Sequence, residues 1–218
     1  MTSMLKACEE LCTAKRLRKL LGIVLKVGNR LNKAGNDSVT SKTAFSILSL
    51  TELNQVKAYD NKTTILTYIA MLIFKTSNED FLNLREELPN VIKSQKMSLN
   101  FYAQLKDLSQ KVDEMFKLAL TLVPAGSENS GDERDAELLK LHNTSLGRFI
   151  IEAKETLLSL QDNHEVLKTR YENVLEYFAE KEMSPSTLFS CITSFCDDLE
   201  SVKMTFTKKS SRRGGSWN

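Results

Sequence analysis

The sequence predicts an all-α protein, an elongated helical bundle built around one long heptad-patterned helix, and three observations carry that prediction. Glycine and proline are scarce, at 8 and 3 of 218 residues, too little punctuation for the many turns of a sandwich or barrel. Apolar residues make up 41% of the chain, enough for a substantial core. Finally, Leu139, Asn143, Leu146, Ile150, Ala153, Leu157, Leu160, His164, Leu167, Tyr171, Val174 and Phe178 alternate in steps of four and three without a slip, the rhythm of a coiled-coil seam. A helix over this run extends about 60 Å at 1.5 Å per residue, so it is expected to protrude as a stalk or arm. His164 falls in the seam, either as a register-setting polar residue or as a pH-sensitive position.

The remaining elements follow in chain order. Leu5, Cys8, Leu11, Leu17, Leu20, Leu21, Val24, Leu25, Val27 and Leu31 recur at helical spacing, predicting one amphipathic helix from about Leu5 to Asn32. The polar stretch from Lys33 to Lys42 contains Gly35, Asn36, Asp37 and Ser38 and reads as a surface loop. A short apolar piece, Phe45 to Val56, leads to Asp60 as the cap of a helix Asn61 to Lys75, which is apolar around most of its circumference and so expected deep in the bundle. Ser77 to Asp80 caps the next helix, which Pro89 bends or interrupts. A longer helix runs from about Ser98 to Leu122, with Leu99, Tyr102, Leu105, Leu108, Val112, Met115 and Leu122 on one side. Pro124 to Asp132 has turn composition throughout. Past the heptad run, Ser184 and Pro185 supply a cap and first-turn proline for a last helix bearing Leu188, Ile192, Phe195, Leu199, Val202 and Phe206 on one face. The domain is thus expected over 1–207, and 208–218, with Lys208, Lys209, Arg212 and Arg213, reads as a disordered basic tail.

Composition also narrows the function. Thirty basic against 28 acidic residues leave a net charge of +2, no general field for nucleic acid or an anionic membrane. No run of eighteen apolar residues and no signal peptide is present, so a cytoplasmic protein without membrane insertion is expected. Cys8/Cys12 and Cys191/Cys196 sit at helical spacings without metal knuckles and read as buried, reduced thiols; neither metal nor cofactor is expected. His142 and His164 lie on one predicted helix, roughly 33 Å apart, and cannot share a site within one chain. No phosphate loop, HExxH or GxSxG elbow occurs, and adjacent acid pairs such as Glu86/Glu87 diverge on a helix. The chain is not expected to be an enzyme.

Several ordered motifs carry a family resemblance. Leu20 to Asn32, which contains Gly28, Asn29, Leu31 and Asn32 and is followed by Gly35, closely resembles the GNxxNxG signature of the formin homology 2 domain. Ala44 to Leu53 is similar to that family's GFKLxSLxKL segment, and Lys57, Asp60, Lys62, Thr64, Leu66 and Tyr68 match its DxKSxDxKxTLLHYL pattern. Glu87 to Val91 with Ser98 and Leu99, then Tyr177 to Glu180 leading to Leu188, Phe189 and Phe195, resemble the closing helices.

The resemblance implies a domain that dimerises head to tail with a second formin chain, nucleates actin filaments and stays on the growing barbed end, in the actin cytoskeleton. The matching region corresponds to the carboxy-terminal portion: the post that receives the partner's lasso, with coiled-coil helices, while lasso, linker and most of the knob would precede it. It implies lasso-receiving contacts at Gly28, Asn29, Leu31, Asn32 and Gly35. Physically, Gly28 lets another backbone approach, and the two asparagines offer amide donors and acceptors; the alternative is a glycine tolerated for internal helix packing, with the asparagines as carboxy-terminal caps. Lys57 and Lys62 are the actin-contact candidates, against a plain solvated face. The family's lysine in GFKL is Ser46 here, and its next basic position is Glu52. Both changes weigh against actin affinity and leave a second reading, a helical interaction scaffold without actin assembly.

Overall fold

A computed structural model describes residues 2–35, 40–58, 60–76, 79–97, 99, 101–122 and 144–212. They form an all-helical chain: α1 (Thr2–Thr13), α2 (Lys15–Gly35), a 3-10 helix (Ile47–Glu52), α3 (Ile65–Lys75), a second 3-10 helix (Glu79–Leu82), α4 (Leu84–Glu87), α5 (Pro89–Ser94), α6 (Phe101–Leu122), α7 (Ser145–Tyr177) and α8 (Pro185–Arg212). Two compact units result, one of residues 1–98 with 169–218 and one of 99–168.

In the larger unit α8 is the central helix. Pro185, Leu188, Phe189, Cys191, Ile192, Thr193, Phe195, Cys196 and Leu199 are all buried, a wider arc than the single face its four-three rhythm predicts. α5, α3 and the first 3-10 helix pack on it, while α1 packs on α5. Ser184 caps α8 as expected, its Oγ accepting the Thr187 N–H at 3.1 Å. Pro89 occupies the first turn of α5, where its missing N–H costs nothing.

The expected single helix from Leu5 to Asn32 is two helices, beginning at Thr2, interrupted at Ala14 and ending at Gly35. The cause lies 70 residues away. The Glu87 carboxylate accepts the N–H groups of Arg16 at 3.0 and 3.1 Å and of Leu17 at 3.1 Å, so these donors are satisfied by a side chain and α2 starts afresh. The arrangement is reciprocal across the fold: Glu10 of α1 accepts the N–H groups of Asn90 and Val91 at the start of α5, at 2.9 and 3.1 Å. Each anion also faces the positive end of a helix.

Asp60 is not the cap of the helix after it. Thr64 is, its Oγ1 accepting the Thr67 N–H at 3.1 Å, and α3 begins at Ile65 rather than Asn61. Asp60 instead closes the turn before it. The buried side of α3 is Leu66, Ile69, Ala70 and Ile73, while Tyr68 is exposed. Ser77 and Asn78 lie outside the described residues.

In the smaller unit α6 begins at Phe101, and its buried side is Leu105 and Ala119 with Val112, Phe116 and Leu120 partly covered; Leu108 and Met115, expected on that side, are exposed. Ile150 of α7 packs on Ala119. Lys154 pairs with Asp113 at 2.9 Å and lies over the Phe116 ring. Along α7 the seam residues Ile150, Leu157, His164, Leu167, Tyr171 and Val174 are buried, as the heptads predict, whereas Leu146 is exposed. Leu139 and Asn143 lie outside the described residues, and Phe178 sits just beyond the helix. α8 extends to Arg212, so the first residues of the expected tail are helical; 213–218 lie outside the described residues.

Candidate functional site

The site is built on α2. Leu17, Leu20, Val24 and Val27 bury one side of this helix. A second side, turned from the core, borders two adjoining apolar grooves of ≈ 230 and ≈ 170 Å³. Leu21, Gly22, Leu25, Tyr177 and Phe178 line the first groove; Gly28, Asn29, Asn32, Leu53 and Ile65 line the second. Leu25, Ala44 and Phe45 border both and form the ridge between them.

The glycines explain why grooves exist there. A Cβ added at Gly22 or Gly28 meets nothing within 4 Å, so neither glycine is required by packing inside the described chain. This answers the internal-packing alternative for Gly28. A glycine inside a helix is about 1 kcal/mol less favourable than alanine, and here the two lie where the helix surface is open.

Asn29 is neither a free amide nor a helix cap. Its Nδ2 donates to the Lys42 carbonyl at 2.8 Å and its Oδ1 accepts the Lys42 N–H at 2.8 Å. Residues 43–45 line the grooves, so this two-point bond holds the groove wall against α2. Of the other predicted contacts, Asn32 lines the second groove, Leu31 is exposed but lies outside the groove lining, and Gly35 is the last residue of α2.

The opposite wall was missed by sequence reasoning. After Tyr177 the chain makes a helix-ending turn in which Glu180 N–H donates to Leu175 O at 2.9 Å and Ala179 takes a left-handed φ of 55°. That turn aims Glu180 at the first 3-10 helix, where its Oε1 accepts the Ile47 N–H at 2.7 Å and the Ser46 hydroxyl at 2.9 Å. Ser46 Oγ in turn accepts the Leu48 N–H at 3.4 Å. Serine at 46 thus has a structural task that a lysine, which has no acceptor, cannot perform. Arg18 donates from Nε to the Tyr177 hydroxyl at 2.9 Å and stacks over the ring, fixing the rim. The sequence marked Tyr177 to Glu180 as a closing-helix motif and Phe178 as a heptad position, but nothing in it placed them at a groove.

Lys57 and Lys62 come together on a different feature. They flank a tight reversal in which Ala58 N–H donates to Thr63 O at 2.7 Å and Lys57 bridges to Thr64. Asn61 holds φ 53° at its tip, a conformation asparagine tolerates. Asp60 accepts the N–H groups of Lys62 and Thr63 at 3.0 and 2.8 Å and the Thr63 hydroxyl at 2.5 Å. These bonds, that from the Thr63 hydroxyl foremost, pull its carboxyl down to about 2. Both lysines are exposed, as is Glu52.

No group of three or more His, Cys, Asp or Glu side chains among the described residues is placed to hold a metal ion. Burial pushes the thiols up, Cys8 and Cys191 to about 11 and Cys196 to about 12, away from thiolate chemistry. No helix among the described residues is long and apolar enough to cross a membrane.

The comparisons with known proteins agree with the motifs. Human Protein diaphanous homolog 3 is 28% identical over 201 residues, covering 92% of this chain and 15% of that protein. Formin-like protein 2 of Oryza sativa subsp. indica is 28% identical over 206 residues, 90% of this chain and 23% of its own length. Formin-like protein 1 of Arabidopsis thaliana is 27% identical over 224 residues, 90% and 20% respectively. The chain therefore spans less than a quarter of each of these relatives. A family model described as Formin Homology 2 Domain matches residues 1–200, and on that match the chain belongs to the formin homology 2 family.

Proposed function

We propose that this chain is the partner-receiving portion of an actin-assembling formin homology 2 domain, working at filament barbed ends as part of a head-to-tail dimer. The observation that carries the reading is the pair of apolar grooves beside α2, open above Gly22 and Gly28. A groove of this kind suits an extended segment of a second formin chain, whose backbone can approach closely only where side chains are missing. Gly28 and Asn32 line the contact; Asn29 holds the wall; Leu31 and Gly35 would touch only a segment reaching past the groove. Lys57 and Lys62, both exposed, are the cations that would meet actin.

Pyrene-actin assembly tests the reading. The chain alone is expected not to accelerate assembly, and addition of an amino-terminal formin homology 2 segment bearing the lasso is expected to restore nucleation and barbed-end protection. Replacing Lys57 and Lys62 by glutamate is expected to remove that activity. Ser46 and Glu52 support a second reading, a helical scaffold without actin assembly, because neither position offers a cation to an acidic partner. Continued inactivity of the reconstituted pair would establish that second reading in place of the first.

A further inference from the structure

The helix that carries the grooves also carries a charge pattern that the grooves alone do not require. α2 contains Lys15, Arg16, Arg18, Lys19, Lys26, Arg30 and Lys33 and no acidic residue. At about 100° per residue, Lys15, Lys19, Lys26, Arg30 and Lys33 fall within roughly 60° of arc and extend over about 27 Å of helix. All five are exposed. The same wheel places the groove residues Gly22 and Asn29 immediately beside this stripe. Lys19 is turned to the Phe81 ring, its Nζ 5.1 Å from the centroid, which leaves Lys26, Arg30 and Lys33 as the cations beside the groove residues.

On α2 itself the charge is one-signed. Among the described residues, the only formally charged groove-lining side chains are Arg18 and Lys42. Of the acids near α2, Glu86 and Glu87 are engaged with Arg16 and the start of the helix and Glu180 with Ile47 and Ser46; the exposed Glu79 and Asp80 lie beside Phe81 on the second 3-10 helix, at the Lys19 position and not at Lys26, Arg30 and Lys33. Whatever enters the groove therefore passes along a row of cations whose mutual repulsion, with no acid interleaved, is relieved by an anionic neighbour.

We infer that the groove selects its occupant by charge: the segment it receives from a second formin chain bears acidic side chains on the side facing Lys26, Arg30 and Lys33, with its apolar side chains in the two grooves. This rests on the groove-docking reading above and adds to it the chemistry that discriminates between partner segments. The chain's own tail is a poor occupant. Its one tryptophan, Trp217, follows Lys208, Lys209, Arg212 and Arg213, which would face like charge along the stripe.

The test titrates the whole chain with a labelled peptide from the lasso segment of the human diaphanous homolog 3 formin homology 2 domain, read by fluorescence anisotropy. The peptide is made in its own sequence, with its Asp and Glu replaced by Asn and Gln, and with them replaced by Lys. At low salt the amide peptide is expected to bind roughly tenfold more weakly than the acidic one, and the lysine peptide more weakly still. A Lys26→Glu/Arg30→Glu/Lys33→Glu chain is expected to reverse the order, and added salt to collapse the differences. These are exposed positions, so the variant folds if its helical circular dichroism is unchanged. Equal binding of all three peptides overturns the inference. A Gly28→Trp variant separates it from the docking reading: if this substitution blocks binding while peptide charge is immaterial, docking stands and charge selection falls. If Gly28→Trp leaves binding intact, or no peptide binds, both fall. Stripe-dependent sedimentation with phosphatidylserine vesicles, without peptide discrimination, would make the stripe a lipid-binding face and also overturn the inference.

Discussion

Asn29 grips Lys42 with both ends of its amide, Nδ2 on the carbonyl and Oδ1 on the N–H, each at 2.8 Å. One residue of the family signature, itself in the groove lining, thereby fixes the segment that becomes the groove wall. Replacing it tests that role. Asn29→Asp keeps the acceptor but loses the donor to the Lys42 carbonyl, and Asn29→Ala loses both. Hydrogen exchange at the Lys42 amide is expected to speed up roughly tenfold in Asn29→Ala, with global stability little changed.

Gly28→Ala should separate stability from binding. Helix propensity favours alanine by about 1 kcal/mol, and the added methyl meets nothing within 4 Å in the free chain. Urea unfolding is therefore expected to show a more stable protein. Association with a lasso-bearing partner is expected to weaken, because the methyl occupies space the partner's backbone needs. Lower stability together with unchanged binding would contradict the groove assignment.

Glu87 predicts a long-range cap effect. Its carboxylate holds the first N–H groups of α2, and Arg16 Nη1 also reaches the neighbouring Glu86 at 3.3 Å. Glu87→Ala is expected to destabilise the chain by about 2 kcal/mol, and Glu87→Gln by about half as much because one acceptor oxygen survives. Denaturant midpoints measure the difference. Glu86→Ala, an exposed pair, is expected to change stability by less than about 0.5 kcal/mol.

Ala179 occupies a left-handed conformation that ordinarily selects glycine. Ala179→Gly is expected to stabilise the turn by roughly 1 kcal/mol without moving Glu180 from Ile47. A rise in melting temperature with an unchanged Ile47 amide chemical shift would meet both expectations.

The Asp60 turn should respond to acid alone. Its carboxyl is lowered from 3.8 to about 2 by the bonds from Thr63 and Lys62, so the charged form is the one the folded turn prefers. Its contribution is therefore fully present above about 3.8 and is lost as pH falls through about 2. Amide resonances of Lys62 and Thr63 are expected to titrate in that window, and not in Asp60→Asn. If Lys57 and Lys62 meet actin from this turn, Asp60→Asn should also weaken that contact at neutral pH.

The sequence by itself determined the helical class, the buried seam from Ile150 through His164 to Val174, the Ser184–Pro185 start of α8, and the amphipathic character of α2. All of these are local: a repeat of about 3.6 residues, or a cap and a proline at adjacent positions, is written in neighbouring residues. Only the tertiary structure decided where α2 begins, what Asn29 does and which residues oppose it. The break at Ala14 is made by Glu87, the groove wall by Lys42, and its far side by Glu180 reaching Ser46 and Ile47. Each is a hydrogen bond between residues remote in sequence, set by which donor the fold leaves unsatisfied, and no periodicity records such a choice. For the same reason the members of the motif that includes Leu31 divide between groove, wall and open surface only once α2 is packed.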